Sequence, residues 1–387
     1  MDNDIKNKNV LMIGSDMRIL REGSESSFRM KEYGKLVNRL DIALYNGKIF
    51  GGGEEIFRLS SNIFIHPRTL WGLLSFFRLN PKKLSVIINH KTDLVTSQDP
   101  FIFGLIGLGL ARWFLAPLQI QVHTDVMSSY FRRESVKNYI YYLIAKFIIL
   151  PRAEGVRVVS NRIKDSLKKV IKLKTEPEVL PVWIDVEGIK KAEIKNDLRK
   201  KYPEFENIIL MASRITIEKN IKMAVFAMRY IKDKYPKTGL IVVGSGPLLK
   251  KIKNLTHKYG LGDNIKFEDW SDNLASYYKT SDIFLNTSDY EGYGRTIVEA
   301  LSAGTPVITT DIGCARDYIK DRENGFIIPV RGTDKLVETL NEILSGKITI
   351  DLLKKGAKNT ALKIPSQEKY LQMYSENWNK TLNYIKI

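Results

Sequence analysis

The sequence predicts an α/β protein built from two successive doubly wound units with parallel sheets. Short apolar runs alternate with longer amphipathic stretches, the pattern of parallel strands joined by helices. The series starts afresh near the middle of the chain. A length of 387 residues is also too great for one ordinary core and suits two.

In the first half, Val10-Leu11-Met12-Ile13 reads as a strand followed by a Gly14-Ser15-Asp16 turn. Ser85 to Ile88, Leu94-Val95-Thr96, Ile120-Gln121-Val122 and Val156 to Val159 read as further strands, with helices expected over Phe101 to Ala111 and Ser135 to Ile148. The second series has strands at Ile208 to Ala212, Leu240 to Val243, Ile265 to Phe267, Ile283 to Leu285 and Val307 to Thr309. Helices are expected between them at Ile221 to Tyr230, Pro247 to Tyr259, Asn273 to Thr280 and Thr296 to Ala303. Leu180 to Asp185 lies where the series meet. The expected domains are therefore 1–181, 182–365 and a terminal helix, 366–387, that packs back on the first domain. That helix carries Tyr370, Tyr374, Trp378 and Leu382 at four-residue spacing. Glu187 to Pro203 is polar and fits an exposed connection or a short helix.

Hydrophobic residues at 44% and charged residues at 27% are the balance of a folded globular chain. The single cysteine, Cys314, excludes a disulfide framework and favours a reducing compartment. The start, MDNDIKNKN, has no apolar signal core, so a cytoplasmic location is expected. Phe101 to Ala111 is too short to span a bilayer and reads as a buried helix. The net charge of +18 divides into +11 over 1–184 and +7 beyond. Such a surface suits phosphates or an anionic membrane, and equally a lysine-rich composition. Nucleic acid is not expected, because no recognition motif accompanies the charge. Tyr130-Phe131-Arg132-Arg133 and Lys137 to Lys146 are basic and aromatic; core packing is the preferred reading, peripheral contact with an anionic inner membrane face the alternative.

The chemistry concentrates in Ser288 to Thr310, SDYEGYGRTIVEALSAGTPVITT. Glu291 and Glu299 stand eight apart around Gly292-Tyr293-Gly294, and Gly304 ends the helix that follows. Glycines at a helix start admit backbone N–H groups close to an anion, and the helix dipole adds to the attraction. If the intervening residues were helical, the two carboxylates would be about 12 Å apart along the axis. That is too far for a retaining hydrolase pair, which needs about 5–5.5 Å, but suits the two ends of an extended ligand. Upstream, Arg214 and Lys219 follow a strand, where two cations can neutralise a departing diphosphate. Gly244-Ser245-Gly246-Pro247 ends another strand; it is not the full dinucleotide fingerprint, so a nicotinamide cofactor is not expected.

These motifs resemble the retaining glycosyltransferases of family 4, with the two-domain B-type fold in which two Rossmann-like domains face a cleft. The resemblance is strong over 205–330 and looser before it. It implies a metal-independent hexosyltransferase that takes a nucleotide diphosphate sugar and a glycan, lipid-linked or small-molecule hydroxyl acceptor, as in polysaccharide biosynthesis, with no cofactor beyond the donor. By it, Glu291, Arg214 and Lys219 act at the sugar and the leaving diphosphate. Glu299 binds the ribose, with Gly244, Gly246, Gly292, Tyr293, Gly294 and Thr296 around the donor. His123, closing Gln121-Val122-His123-Thr124-Asp125, sits beside the sugar and orients a hydroxyl or stabilises positive charge. In the loop Gly14 to Arg29, Asp16, Arg18 and Arg29 are acceptor-side candidates. Arg295 stands where many members have an apolar residue, and Val182-Trp183 replaces a frequent Asn-Gly. The one Asp-x-Asp, Asp2 and Asp4, lies in the polar tail, so no metal is expected. A nucleotide-sugar 2-epimerase of the same fold is the competing enzyme, a basic nucleic-acid binder the remote alternative.

Overall fold

The computed structural model describes residues 4–46, 56–69, 90–271 and 273–384. The chain divides into two compact units. One comprises Met1–Val159, Ile163–Pro181 and Glu368–Ile387, the other Ser160–Arg162 and Val182–Gln367.

Among the described residues the first unit holds a sheet of eight strands: β1 (Asn9–Gly14), β2 (Arg39–Asn46), β3 (Phe57–Ser60), β4 (Ile63–Thr69), β5 (Leu94–Ser97), β6 (Leu118–Val122), β7 (Gly155–Val158) and β8 (Glu178–Val179). Their order is β3-β4-β2-β1-β5-β6-β7-β8, parallel except for β3 against β4. Winding reverses between β1 and β5, so this sheet's switch point opens at the carboxyl ends of those strands. The strand expected at Ser85 to Ile88 lies outside the described residues. Strands β2, β3, β4 and β8 were not expected. In β2, Arg39 and the buried Asp41 interrupt the apolar run; Asp41 is accommodated by His66 at 2.7 Å and His90 at 2.9 Å.

The helix expected over Ser135 to Ile148 is divided. An α-helix, Val136–Leu143, passes into a π-helix, Ile144–Ile149, and a 3₁₀ turn, Leu150–Arg152. Pro151 lacks the N–H that would continue the ladder. Core packing, preferred for Tyr130 to Arg133 and Lys137 to Lys146, holds in part: Phe131, Tyr142 and Ala145 are buried, while Tyr139 and Ile140 are exposed, as are Val136, Phe147 and Ile148 beside them. Ile149 is buried as well, and Tyr141 stacks on Phe101 at 4.5 Å. The helix Gln367–Asn383 buries Tyr370, Tyr374 and Trp378 within the first unit, where Tyr374 stacks on Tyr33 at 4.1 Å.

The second unit holds β9 (Asn207–Ala212), β10 (Thr238–Val243), β11 (Ile265–Glu268), β12 (Ile283–Asn286), β13 (Val307–Thr310) and β14 (Gly325–Ile328). All pair in parallel in the order β11-β10-β9-β12-β13-β14. Helix Ile221–Ile231 buries Met223, Ala224, Val225, Ala227, Met228 and Ile231 against this sheet. The connection after the first series forms two short helices, Val186–Lys191 and Leu198–Lys201. Winding reverses between β9 and β12, bringing the loops after those strands side by side.

Candidate active site

That juxtaposition builds the site of the second unit. Lys219 closes a 3₁₀ turn, Ile217–Lys219, after β9, and its Nζ lies 3.0 Å from Glu291 Oε1. The same oxygen accepts from Asn286 Nδ2 at 2.9 Å and Ser288 Oγ at 2.7 Å. Burial pushes the Glu291 carboxyl up, but Lys219's charge and the three hydrogen bonds outweigh it, so the pKa is lowered and the group is ionised at neutral pH.

The two loops are latched elsewhere as well. Thr287 Oγ1 donates to the carbonyls of Lys219 and Asn220, and the Asp289 amide donates to Glu218 O at 2.7 Å. Asn220, in the left-handed region at φ 44°, donates through Nδ2 to Asp289, which Arg331 also engages. Arg214 is 69% exposed and reaches Glu218 at only 3.4 Å, so it is the looser of the two expected cations.

Glu291 is not on the helix after it. Gly294 is the N-cap at φ 83°, which only glycine adopts readily, and the helix is Arg295–Ser302. The eight-residue spacing is therefore not two helical turns, and the 12 Å axial estimate does not apply. Glu299 is on the helix, accepting from Arg295 Nε at 2.7 Å and Tyr278 OH at 3.1 Å. Thr296 lies in its first turn, and no side chain caps that end. The helices Ile221–Ile231 and Leu249–Lys258 likewise start without a side-chain cap. Three helix starts at one sheet edge thus keep first-turn N–H groups without side-chain caps, the arrangement that receives phosphate.

Gly244 and Gly246 have a packing reason. A Cβ on Gly244 (φ 140°) would sit 2.0 Å from Ser213 O, and one on Gly246 2.4 Å from Ile215 O. The Gly244 N–H already donates to Glu268 O at 3.0 Å. These glycines let the β10 loop lie against the Arg214 loop. Gly292 is buried, its carbonyl accepting from Ser160 Oγ. Tyr293 is buried too: its hydroxyl meets Tyr318 and its carbonyl accepts from Cys314 N at 2.7 Å.

In the first unit, Asp16, Arg18 and Arg29 come together beyond β1. Arg18 Nε donates to Asp16 Oδ1 at 2.9 Å, and Arg29 lies 3.8 Å from Oδ2, which also receives Ser26 Oγ. Burial raises the Asp16 pKa, but hydrogen bonds from Arg18 and Ser26 lower it more, to about 2. His123 follows β6 with its ring partly solvent-exposed. Partial desolvation, then the charges of Arg157 and Arg29, hold its pKa below the usual histidine value, so the ring is neutral at neutral pH.

Asn286, Ser288 and Tyr278 were not anticipated. Asn286 and Ser288 stand five and three residues before Glu291, which a search for hydrogen-bond donors near a buried carboxylate would have flagged; Tyr278 is brought to Glu299 only by packing. Among the described residues no group of three or more His, Cys, Asp or Glu side chains could hold a metal.

Residues 193–361 match the family described as glycosyl transferases group 1. The chain is 28% identical over 266 residues to alpha-monoglucosyldiacylglycerol synthase of Streptococcus pneumoniae, covering 64% of this chain and 58% of the synthase. It is 25% identical over 298 residues to UDP-Gal:alpha-D-GlcNAc-diphosphoundecaprenol alpha-1,3-galactosyltransferase of Escherichia coli, covering 74% and 73%. Its structure is similar to sucrose-phosphate synthase from Thermosynechococcus elongatus, with a TM-score of 0.77 at 19% identity over 96% of this chain and 98% of that one. This likeness shows the fold, the two-domain B-type fold built on two α/β sheets.

Proposed function

We propose that this chain, whose residues 193–361 match the group 1 glycosyl transferases, moves a hexose-type sugar from a nucleoside diphosphate to a hydroxyl acceptor with retention and without a metal. The observation that carries this is the Lys219–Glu291 pair at 3.0 Å, beside uncapped helix starts. Glu291 stays ionised, so it accepts sugar hydroxyls and does not serve as a general acid. Lys219, Arg214 and first-turn amides receive the charge that builds on the leaving diphosphate, while Glu299 takes the ribose hydroxyls.

In this reading the acceptor oxygen bonds to the anomeric carbon on the face the diphosphate leaves. The breaking C–O bond gives its electron pair to the diphosphate, whose oxygen takes the acceptor's proton. No nucleophilic carboxylate is needed. Epimerisation at C2 is not favoured, since the relatives described above are named for transfer or glycolipid synthesis. Because one relative's name specifies UDP-Gal, uridine donors head the test. Melting the protein with UDP-, GDP- and ADP-sugars should single out one base by a raised Tm. Stabilisation by none of them would count against the reading.

A lipid-linked acceptor and peripheral contact with an anionic membrane belong to the same proposal. Exposed Val136, Tyr139, Ile140, Phe147 and Ile148 share a surface stretch with Arg133 and Lys137, an apolar and cationic combination suited to a bilayer interface. No described helix is long and apolar enough to cross a membrane. Flotation with phosphatidylglycerol vesicles but not phosphatidylcholine vesicles is expected, and its loss in an Ile140→Glu, Phe147→Glu variant. Equal flotation of that variant would refute the contact.

A further inference from the structure

His123 belongs to a hydrogen-bonded network whose proton positions follow from the chemistry of its members. Arg157, on β7, is 3% exposed, and its Nη1 lies 2.7 Å from Gln121 Oε1 on β6. A guanidinium only donates, so the atom it meets is the amide oxygen. The amide nitrogen then faces Thr96 Oγ1 at 3.0 Å and Tyr374 OH at 3.2 Å. His123 Nε2 is 3.2 Å from the same Oε1. That oxygen has no proton to give, so Nε2 carries one. In a neutral ring the lone pair then falls on Nδ1.

The C-terminal helix holds the arginine in place. Tyr370 OH lies 3.2 Å from Arg157 Nη2, the Tyr374 ring lies 4.8 Å from the guanidinium carbon, and the Leu180 and Pro181 carbonyls accept at 3.4 Å. The same helix holds the neighbouring glutamine: Gln119 Nε2 donates to Asn377 Oδ1 and Thr381 Oγ1, each at 3.0 Å. Thr96 links the two glutamines, donating to Gln119 Oε1 at 3.2 Å. The charges facing the histidine are Arg157 from β7 and Arg29 from helix Glu25–Gly34. Arg29 is 3.8 Å from Asp16, and the tyrosines contribute neutral hydroxyls.

We propose that Gln121 and Arg157, braced by Tyr374 of the C-terminal helix, are positioning residues that fix His123 with its proton on Nε2 and Nδ1 as a hydrogen-bond acceptor. The functional half rests on the transferase reading, in which Nδ1 accepts a hydrogen bond from a sugar hydroxyl. A ring turned to the other tautomer would present an N–H there instead.

Long-range proton–nitrogen spectra of protein labelled in its four histidines, with His123→Gln assigning the signal, test this without any substrate. The expected result is a single Nε2–H tautomer that does not titrate between about pH 5 and 9. Arg157→Met frees the Gln121 amide to turn, so the ring should mix tautomers and titrate toward the usual value of about 6.5. Its kcat should fall about 10- to 100-fold, the range typical of lost orienting partners, with the donor KM little changed. Arg157→Lys should restore Nε2–H and part of kcat. Tyr374→Phe, which removes one hydroxyl, should move both readouts the same way by less, and serves if Arg157→Met does not fold. A wild-type ring protonated on Nδ1, or an Arg157→Met or Tyr374→Phe ring unchanged in tautomer and titration, overturns the proposal. The predicted tautomer together with full transfer by His123→Ala would uphold the network but overturn its role in transfer.

Discussion

Replacing Lys219 by methionine removes the charge but keeps most of the side-chain volume, which makes it the most direct probe of the second unit's site. Both partners are largely shielded, at 15% and 13% side-chain exposure. At 3.0 Å and an effective dielectric of about 20, their attraction is about 5 kcal/mol. Removing Lys219 also removes its own desolvation cost, which offsets about half of that. The variant should therefore lose about 2–3 kcal/mol at pH 7, or about 5–10 °C in Tm for a unit of this size. The pH dependence makes the test specific. In the wild type the folded Glu291 pKa is lowered, so its contribution is present above the unfolded value of about 4.5 and lost as pH falls through the folded value. In the variant, burial without Lys219 raises the folded pKa, so ionised Glu291 becomes a penalty above about 4.5. The gap between the two proteins should be widest near pH 7, narrow as pH falls past the variant's raised value, and close only below the wild type's folded value, which lies under 4.5. Calorimetry across pH, with Lys219→Met, Glu291→Gln as the double variant, checks this. A gap independent of pH, or strictly additive effects, would refute the reasoning.

Glu299→Ala should weaken donor binding about tenfold or more with a smaller effect on turnover, read as KM against kcat; an unchanged KM would remove it from the ribose. Gly244→Ala should destabilise by about 2 kcal/mol or more, because φ is 140° and the new Cβ meets Ser213 O; chemical denaturation measures it. Asp16, with a folded pKa of about 2, should contribute about 1 kcal/mol after screening, present above pH about 4 and lost as pH falls toward 2. Asp16→Asn should show no such acid-side loss in melts from pH 5 to pH 2.

Local signals made much of this protein legible. Ile208 to Ala212 and Ile283 to Leu285 are apolar runs bounded by turn residues, and β9 and β12 extend each by one residue. Gly304 announced a helix end and takes φ 82°. Gly294 was less transparent. Its left-handed conformation moves Glu291 off the helix, and nothing in eight-residue spacing distinguishes a cap from a helical turn. The basic aromatic stretch was ambiguous for a similar reason: the apolar positions of Val136 to Ile149 are dense enough to suit a core, and only the neighbours present decide which of them are covered.

The chain's order of apolar and polar residues determined the two α/β series and the residue types at each strand end, because those depend on contacts a few residues apart. Strand order was decided by tertiary packing: β9 lies beside β12, and that alone sets Lys219 on Glu291, 72 positions later. The same holds for Gln121 and Tyr374, separated by 253 positions. A buried charge or amide takes its partner from whatever the folded sheets bring within 3 Å or so, and no local pattern records which group that will be.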